Sequence, residues 1–115
     1  MPENLRQYKA SIFQALAHPT RIAILELLRN GEMPVSAILD RLDLEPANGS
    51  QHLALLRSKN IVVTRKAGNQ VYYTVRDRMI IDMLDLMRRY FQAHIEQSIS
   101  LLDDTSPKDD RGSEA

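Results

Sequence analysis

Four polar side chains stand close together in a segment that lacks acidic residues. They are Asn48, Ser50, Gln51 and His52, and residues 46–76 around them contain five basic residues and no acidic one. Asn and Gln can pair with adenine through two hydrogen bonds in the major groove, which is wide enough to admit an α-helix. Positive charge concentrated in one segment indicates a polyanionic partner. We therefore predict that this segment contacts nucleic acid.

Basic and polar side chains later in the same segment could bind the sugar-phosphate backbone. Arg65 and Lys66 precede a predicted turn, and Asn69 and Gln70 follow it. The full set of predicted DNA-contacting residues is Ala47, Asn48, Ser50, Gln51, His52, Arg57, Arg65, Lys66, Asn69 and Gln70.

Some of these assignments have alternatives. The polar residues at 48, 50 and 51 could be an ordinary solvated helix face. His52 could pack at the edge of the helix, and Arg57 could pair with an acid inside the fold. The surrounding pattern favours DNA contact for the segment as a whole, because the polar residues begin the second helix of a predicted helix-turn-helix.

The elements that must position these side chains are two short helices and a hairpin. Helical spacing predicts helices at 35–42 and 46–59, joined by a tight turn, which is the helix-turn-helix pattern. In the second helix the predicted inward residues are Gly49, Leu53 and Leu56. Two β-branched and aromatic runs flank a turn at 67–69, so residues 61–75 are predicted to form a hairpin, the wing.

A further helix, from Pro19 to Gly31, is apolar around most of its circumference and should be the central core helix.

The two ends of the chain are predicted to pair two copies of this unit. Helical spacing predicts a first helix at 3–17 and a last helix at 77–102, and the last is too long for one small domain to cover. The predicted dimer interface consists of Leu5, Tyr8, Ile12, Ile80, Met83, Met87, Tyr90, Phe91, His94 and Ile95. The expected fold is mainly α with a small β-hairpin (α+β), a winged helix-turn-helix over residues 1–102, followed by a disordered acidic tail at 103–115.

Composition excludes several classes of function. The 115 residues include no cysteine, which excludes disulfides and thiolate metal sites, and no apolar run is long enough to span a membrane. We see no nucleophile–base pair and no phosphate-binding glycine loop, so the sequence predicts a non-enzyme without a cofactor. The formal net charge of zero averages over unlike parts of the chain. We expect a soluble, cytoplasmic protein.

Three motifs resemble the ArsR/SmtB family of bacterial winged-helix repressors. They are FQALAHPTRIAIL at 13–25, SQHLALLR at 50–57 and GNQVYY at 68–73. The resemblance implies a homodimer that binds double-stranded DNA, reads an inverted repeat and represses transcription. It also implies that the first and last helices pair across the two-fold axis. His18 stands where the family commonly has a capping Asp, so we expect a structural role for it.

The sequence departs from the family at its metal ligands. Residues 32–38 lack the thiols of one group of members, and Met79 stands where a second group has a zinc-binding histidine. We therefore predict no family-type metal site. Three alternatives stay open: a divergent zinc site near Asp82, Asp85 and His94, an unknown small-molecule effector on an apolar stripe that includes Met79, and a winged-helix protein-interaction module that does not bind DNA.

Overall fold

The computed structural model describes the backbone of residues 2–105 and the side chains of residues 3–102. The described elements are α1 (Pro2–Leu16), α2 (Pro19–Leu27) with a 3₁₀ turn at Leu28–Asn30, β1 (Met33–Pro34), α3 (Val35–Arg41), α4 (Pro46–Ser58), β2 (Val62–Ala67), β3 (Gln70–Val75) and α5 (Arg78–Thr105). The predicted class, mainly helical with a small sheet, is confirmed. The described residues divide into two units, at 2–81 and 82–105.

The core of the first unit is aliphatic and has α2 as its central helix, as predicted. Ile24 and Leu25 of α2 are fully buried, together with Ile38 of α3 and with Leu53 and Leu56 of α4. Burying side chains of this size contributes about 1.5–3 kcal/mol each relative to exposure. The core therefore fixes the two helices of the helix-turn-helix against α2.

Local signals set the start of α2. His18 adopts an extended backbone, and its Nδ1 accepts a hydrogen bond from the Thr20 N–H at 3.1 Å. Pro19 occupies the first helical position, where its missing N–H costs nothing. The structural role predicted for His18 is therefore confirmed: it is the N-cap of α2.

The sheet has one strand more than the sequence indicated. Its order is β1-β3-β2 with antiparallel pairing, and Met33 and Pro34 of β1 lie opposite Tyr73 and Tyr72 of β3. Two residues, one of them a proline, show no alternation, so β1 left no signal that periodicity could detect. The hairpin turn is also tighter than predicted, because β2 includes Ala67 and the turn between the strands consists of Gly68, with φ of 61°, and Asn69.

The last helix, α5, ends at Thr105, three residues beyond the predicted boundary at 102. The first residues of the predicted acidic tail therefore lie in this helix, and residues 106–115 lie outside the described part of the chain. No helix within the described residues is long and apolar enough to cross a membrane.

Candidate nucleic-acid interface

The start of the recognition helix α4 is fixed by its own N-cap. Glu45 adopts an extended backbone, and its Oε1 accepts a hydrogen bond from the Asn48 N–H at 2.9 Å, while Pro46 occupies the first turn. The turn before it places Asp43 at φ of 52°, the left-handed region that Asp tolerates better than most residues. An acidic side chain therefore lies directly beside the acid-free segment, where it complements the positive end of the helix.

The inner side of α4 packs on α2 and on β2, and the three predicted inward residues are confirmed as buried. Gly49 lies against Leu39 of α3. A Cβ built on Gly49 would overlap Leu39 Cδ2 and would lie 3.4 Å from Leu44 Cβ. Only glycine fits this approach without a shift of its neighbours.

The outer side of α4 presents the predicted polar residues to solvent. Ala47, Asn48, Ser50 and Gln51 are all exposed. The side chains of Asn48, Ser50 and Gln51 form no hydrogen bond or ion pair with any described residue, so their donors and acceptors are available to a partner. Arg57, near the end of the helix, is also exposed, and the internal acid pairing considered for it is not observed over residues 3–102.

His52 lies on the inner edge of α4 and contacts α2. Its Nδ1 is 3.1 Å from Nη1 of Arg21, and its ring centroid is 4.4 Å from that of His18. Arg21 also donates to the carbonyl oxygens of Ala15 and Gln14, so α1, α2 and α4 meet here. Burial lowers the pKa of His52, and the nearby His18 and Arg21 lower it further. His52 therefore packs at the helix edge, which is the alternative for this residue, and it is half-buried; its contact with DNA stays a prediction.

Arg65 and Lys66, which are both predicted to contact the DNA backbone, lie on opposite faces of the wing. Arg65 pairs with Tyr72 and Lys66 pairs with Val71 across the hairpin, so the two side chains point to opposite faces. Both residues lie within β2, and both are exposed. A single phosphate cannot lie against both faces of the hairpin.

Arg65 is engaged within the protein. Its Nη2 lies 2.6 Å from Glu32 Oε1 and its Nε lies 3.1 Å from Glu32 Oε2, a bidentate ion pair. Its guanidinium also lies over the Tyr72 ring, 4.7 Å from the centroid. The hydrogen bond from Arg65 lowers the pKa of Glu32, and the same bond raises the pKa of Arg65. Sequence reasoning missed Glu32, because it lies 33 residues before its partner.

The tip of the wing carries Asn69 and Gln70, both exposed as predicted for a contact surface. Ser36 Oγ at the start of α3 donates to Gln70 Oε1 at 3.4 Å, a long hydrogen bond. At the other end of the hairpin, Ile61 N–H donates to the Leu56 carbonyl and Arg76 N–H donates to the Ile61 carbonyl, each at 3.0 Å. The backbone therefore couples the end of α4 directly to the base of the wing.

The predicted dimer residues form apolar faces that are only partly covered within the described residues. In the first unit Leu5 and Tyr8 are more than half exposed, and Ile12 and Ile80 are half-buried. In the second unit Met83 is half-buried, and the exposed members are Met87, Tyr90, Phe91, His94 and Ile95. The ring of Tyr90 lies 4.3 Å from that of His94, so His94 sits within an aromatic cluster.

Metal-ligating side chains do not converge in the described part of the chain. No group of three or more His, Cys, Asp or Glu side chains there could hold a metal ion. Of the residues considered for a divergent zinc site, Asp85 accepts a hydrogen bond from Arg88 at 3.0 Å.

Known proteins share this sequence pattern and this fold. Residues 16–65 match the family described as "Helix-turn-helix domain". The uncharacterised HTH-type transcriptional regulator Rv0081 of Mycobacterium tuberculosis is 35% identical over 103 residues, which are 89% of this chain and 90% of that protein. Its crystal structure superposes with a TM-score of 0.76 at 34% identity and covers 83% of this chain and 96% of that one.

Two further proteins bear on function and assembly. The transcriptional activator HlyU of Vibrio cholerae is 34% identical over 100 residues, which are 81% of this chain and 93% of that protein. The domain Mb0332 of Mycobacterium bovis is described as a homodimeric winged helix-turn-helix DNA-binding domain and a possible ArsR-family regulator. Its solution structure matches with a TM-score of 0.77 at 28% identity and covers 84% of this chain and 89% of that one.

Proposed function

Because this chain belongs to the ArsR-type family of winged helix-turn-helix transcriptional regulators, we propose that it is a homodimeric, sequence-specific DNA-binding repressor. Each protomer inserts α4 into the major groove and places its wing along the flanking backbone. Two copies of α4 read the halves of an inverted repeat, about 34–36 Å apart. Repression follows because a bound dimer occupies promoter DNA that RNA polymerase needs.

The outer face of α4 carries this proposal. Asn48, Ser50 and Gln51 are exposed without partners, whereas Gly49, Leu53 and Leu56 on the opposite face are buried. The buried face holds the helix rigidly in place. The exposed face carries unsatisfied donors and acceptors near the N-terminus of the helix, which suits recognition of base edges.

The uncovered apolar faces support the homodimer. Large exposed apolar patches on a protein of this kind mark interaction surfaces. Over the second unit, the exposed apolar residues recur at helical spacing from Met87 to Leu102. Since a two-fold dimer uses the same patch on both copies, a self-complementary helix face fits that assembly.

Selection of duplexes from a random DNA pool by the wild-type protein tests the function. We expect enrichment of an inverted repeat, and fluorescence anisotropy with the selected duplex should show tighter binding than with a scrambled one. Gln51→Ala should lose about 1–3 kcal/mol of discrimination at one position of each half-site. Gln92→Ala, the same change on the exposed surface of α5, is the matched control and should bind as the wild type does.

The outcomes separate the competing functions. A failure to enrich any sequence, with equal binding to scrambled DNA, would favour the protein-interaction module. Run-off transcription from a promoter that carries the selected repeat tests the regulatory sign. A fall in transcript on addition of the protein supports repression, and a rise would make this chain an activator, as HlyU is named.

We further propose that no family-type metal site controls this DNA binding, since the chain has no cysteine and Met79 stands where one group of the family has a zinc-binding histidine. Equilibrium dialysis against Zn²⁺ tests this. Binding of about one zinc ion per protomer in the wild type, lost in His94→Ala, would contradict it and favour the divergent zinc site.

A further inference from the structure

We infer that Arg65 is a positioning residue that braces the wing, and that Lys66 alone supplies the phosphate contact of β2. This inference rests on the proposed DNA-binding function. Arg65 and Lys66 therefore have different roles, although they are adjacent basic residues with the same sequence context.

The brace spans the whole sheet. Arg65 starts on β2, crosses the Tyr72 ring on β3 and reaches Glu32, which directly precedes β1. One side chain therefore ties together all three strands of the order β1-β3-β2. A hairpin wing has no other strand beyond β2 to hold it, so a contact that crosses the sheet restrains its orientation.

Glu32 occupies one of the two bidentate edges of the Arg65 guanidinium and neutralises its charge, so a phosphate at the other edge would lie near the Glu32 carboxylate. Bidentate recognition of a phosphate needs two parallel N–H groups, and in Arg65 Nε and Nη2 both face the Glu32 carboxylate. Release of Arg65 to DNA would also leave the Glu32 charge unpaired near phosphate. Isolated exposed ion pairs contribute little, but bidentate geometry with stacking over an aromatic ring is the favourable case.

A braced wing helps binding because it is already ordered. A mobile wing would lose conformational freedom when it docks, and this loss weakens the affinity. Lys66 is exposed on the other face of the hairpin and has no hydrogen bond or ion pair with a described residue. It can therefore bind phosphate without breaking a contact in the protein.

Three variants test the brace by anisotropy on the selected duplex, each with a salt series. We expect Glu32→Gln and Arg65→Lys each to weaken binding by about threefold, the scale of one good exposed pair. Arg65→Lys keeps the charge but loses the fork and the planar stacking. The double variant Glu32→Gln/Arg65→Lys should be no weaker than either single variant, because both changes remove the same interaction.

The direction of the change in affinity caused by Glu32→Gln distinguishes a bracing role of Arg65 from a phosphate contact. If Arg65 instead binds phosphate, Glu32→Gln releases it, so binding tightens and the salt slope steepens by about one unit per protomer. In that case Arg65→Lys would keep most of the wild-type affinity. Either result overturns the brace while the wild type still binds its duplex specifically. Loss of specificity in the wild type would instead refute the proposed function. Thermal unfolding of each variant confirms that it is folded.

Discussion

The recognition helix and the wing serve one interface but are held in place by different forces. α4 is fixed by aliphatic packing, since Leu53 and Leu56 are almost fully buried and Gly49 lies against α3. The base of the wing also packs in the core, at Val62 and Tyr73, but its outer part is held by an exposed polar contact between Arg65 and Glu32, with the Tyr72 ring beneath it.

The difference has consequences for robustness. Close apolar packing is costly to disturb and insensitive to salt, because it depends on shape and volume. An exposed ion pair is worth less and is screened by salt. We therefore expect the position of α4 to be tightly specified and the wing to be the more adjustable half of the interface.

The largest effect should come from filling the space at Gly49. Gly49→Val would place a branched side chain where Leu39 Cδ2 lies and against Leu44, so the side chains packed there would have to shift. We expect the free energy of unfolding to fall by about 2–3 kcal/mol. Chemical denaturation measures the loss, and anisotropy should show loss of specific DNA binding.

The matched control for this change is Ala54→Val, on the exposed side of the same helix. It introduces the same side chain without the overlap and costs about 0.5 kcal/mol of helix propensity, whereas Gly→Val carries no such cost. Because propensity favours Val over Gly in a helix, a loss of stability at Gly49 no greater than that at Ala54 would contradict the overlap as its cause.

A smaller and purely electrostatic effect is expected at Lys66. Lys66→Ala should weaken binding to specific and scrambled DNA by the same factor and reduce the salt slope by about one unit per protomer. Anisotropy over a range of salt concentrations measures both. Lys9→Ala in α1 is the control, and an equal change in slope there would remove the special role of Lys66.

The junction between the two regions should show a modest effect. Asn60 lies between α4 and β2 with φ of 58°, in the left-handed region. Asn60→Ala should lower the free energy of unfolding by about 1 kcal/mol, because Ala resists this conformation more than Asn does. Asn60→Gly should be at least as stable as the Ala variant by the same denaturation measurement, and the opposite order would contradict the backbone explanation.

The smallest effect is a pH dependence that differs between the regions. The pKa of His52 is lowered from 6.5 in the folded protein, so below pH 6.5 the unfolded chain takes up a proton first and stability falls until folded His52 also protonates. The pKa of Glu32 is lowered from 4.5, so its stabilising contribution is present above pH 4.5 and is lost as the pH falls further.

Thermal unfolding at fixed protein concentration, repeated at pH values on both sides of 6.5 and 4.5, measures the loss of stability assigned to His52 and the one assigned to Glu32. His52→Asn should remove the loss that begins below pH 6.5, and Glu32→Gln should remove the one at lower pH. A wild-type stability that stays flat between pH 7 and pH 5 would contradict the first assignment.

Much of the fold follows from local signals in the chain. Helical spacing predicted every helix, and Gly49, Leu53 and Leu56 were predicted as the inward face of α4 because they share one side at a 3.6-residue period. The strand β1 was not predicted, because it forms by pairing with Tyr72 and Tyr73, which lie far along the chain. The predicted contacts of α4 with bases stay predictions, although the exposure of Asn48, Ser50 and Gln51 agrees with them.

The sequence by itself determined the helix-turn-helix, the wing and the concentration of basic residues between 46 and 76. Periodicity, capping and turn residues act over a few neighbours, so the order of the chain is enough to reveal them. Only the tertiary structure decided which of those residues are available to a partner. Long-range contacts engage Arg65 with Glu32 and His52 with Arg21, because the fold brings together side chains about thirty residues apart.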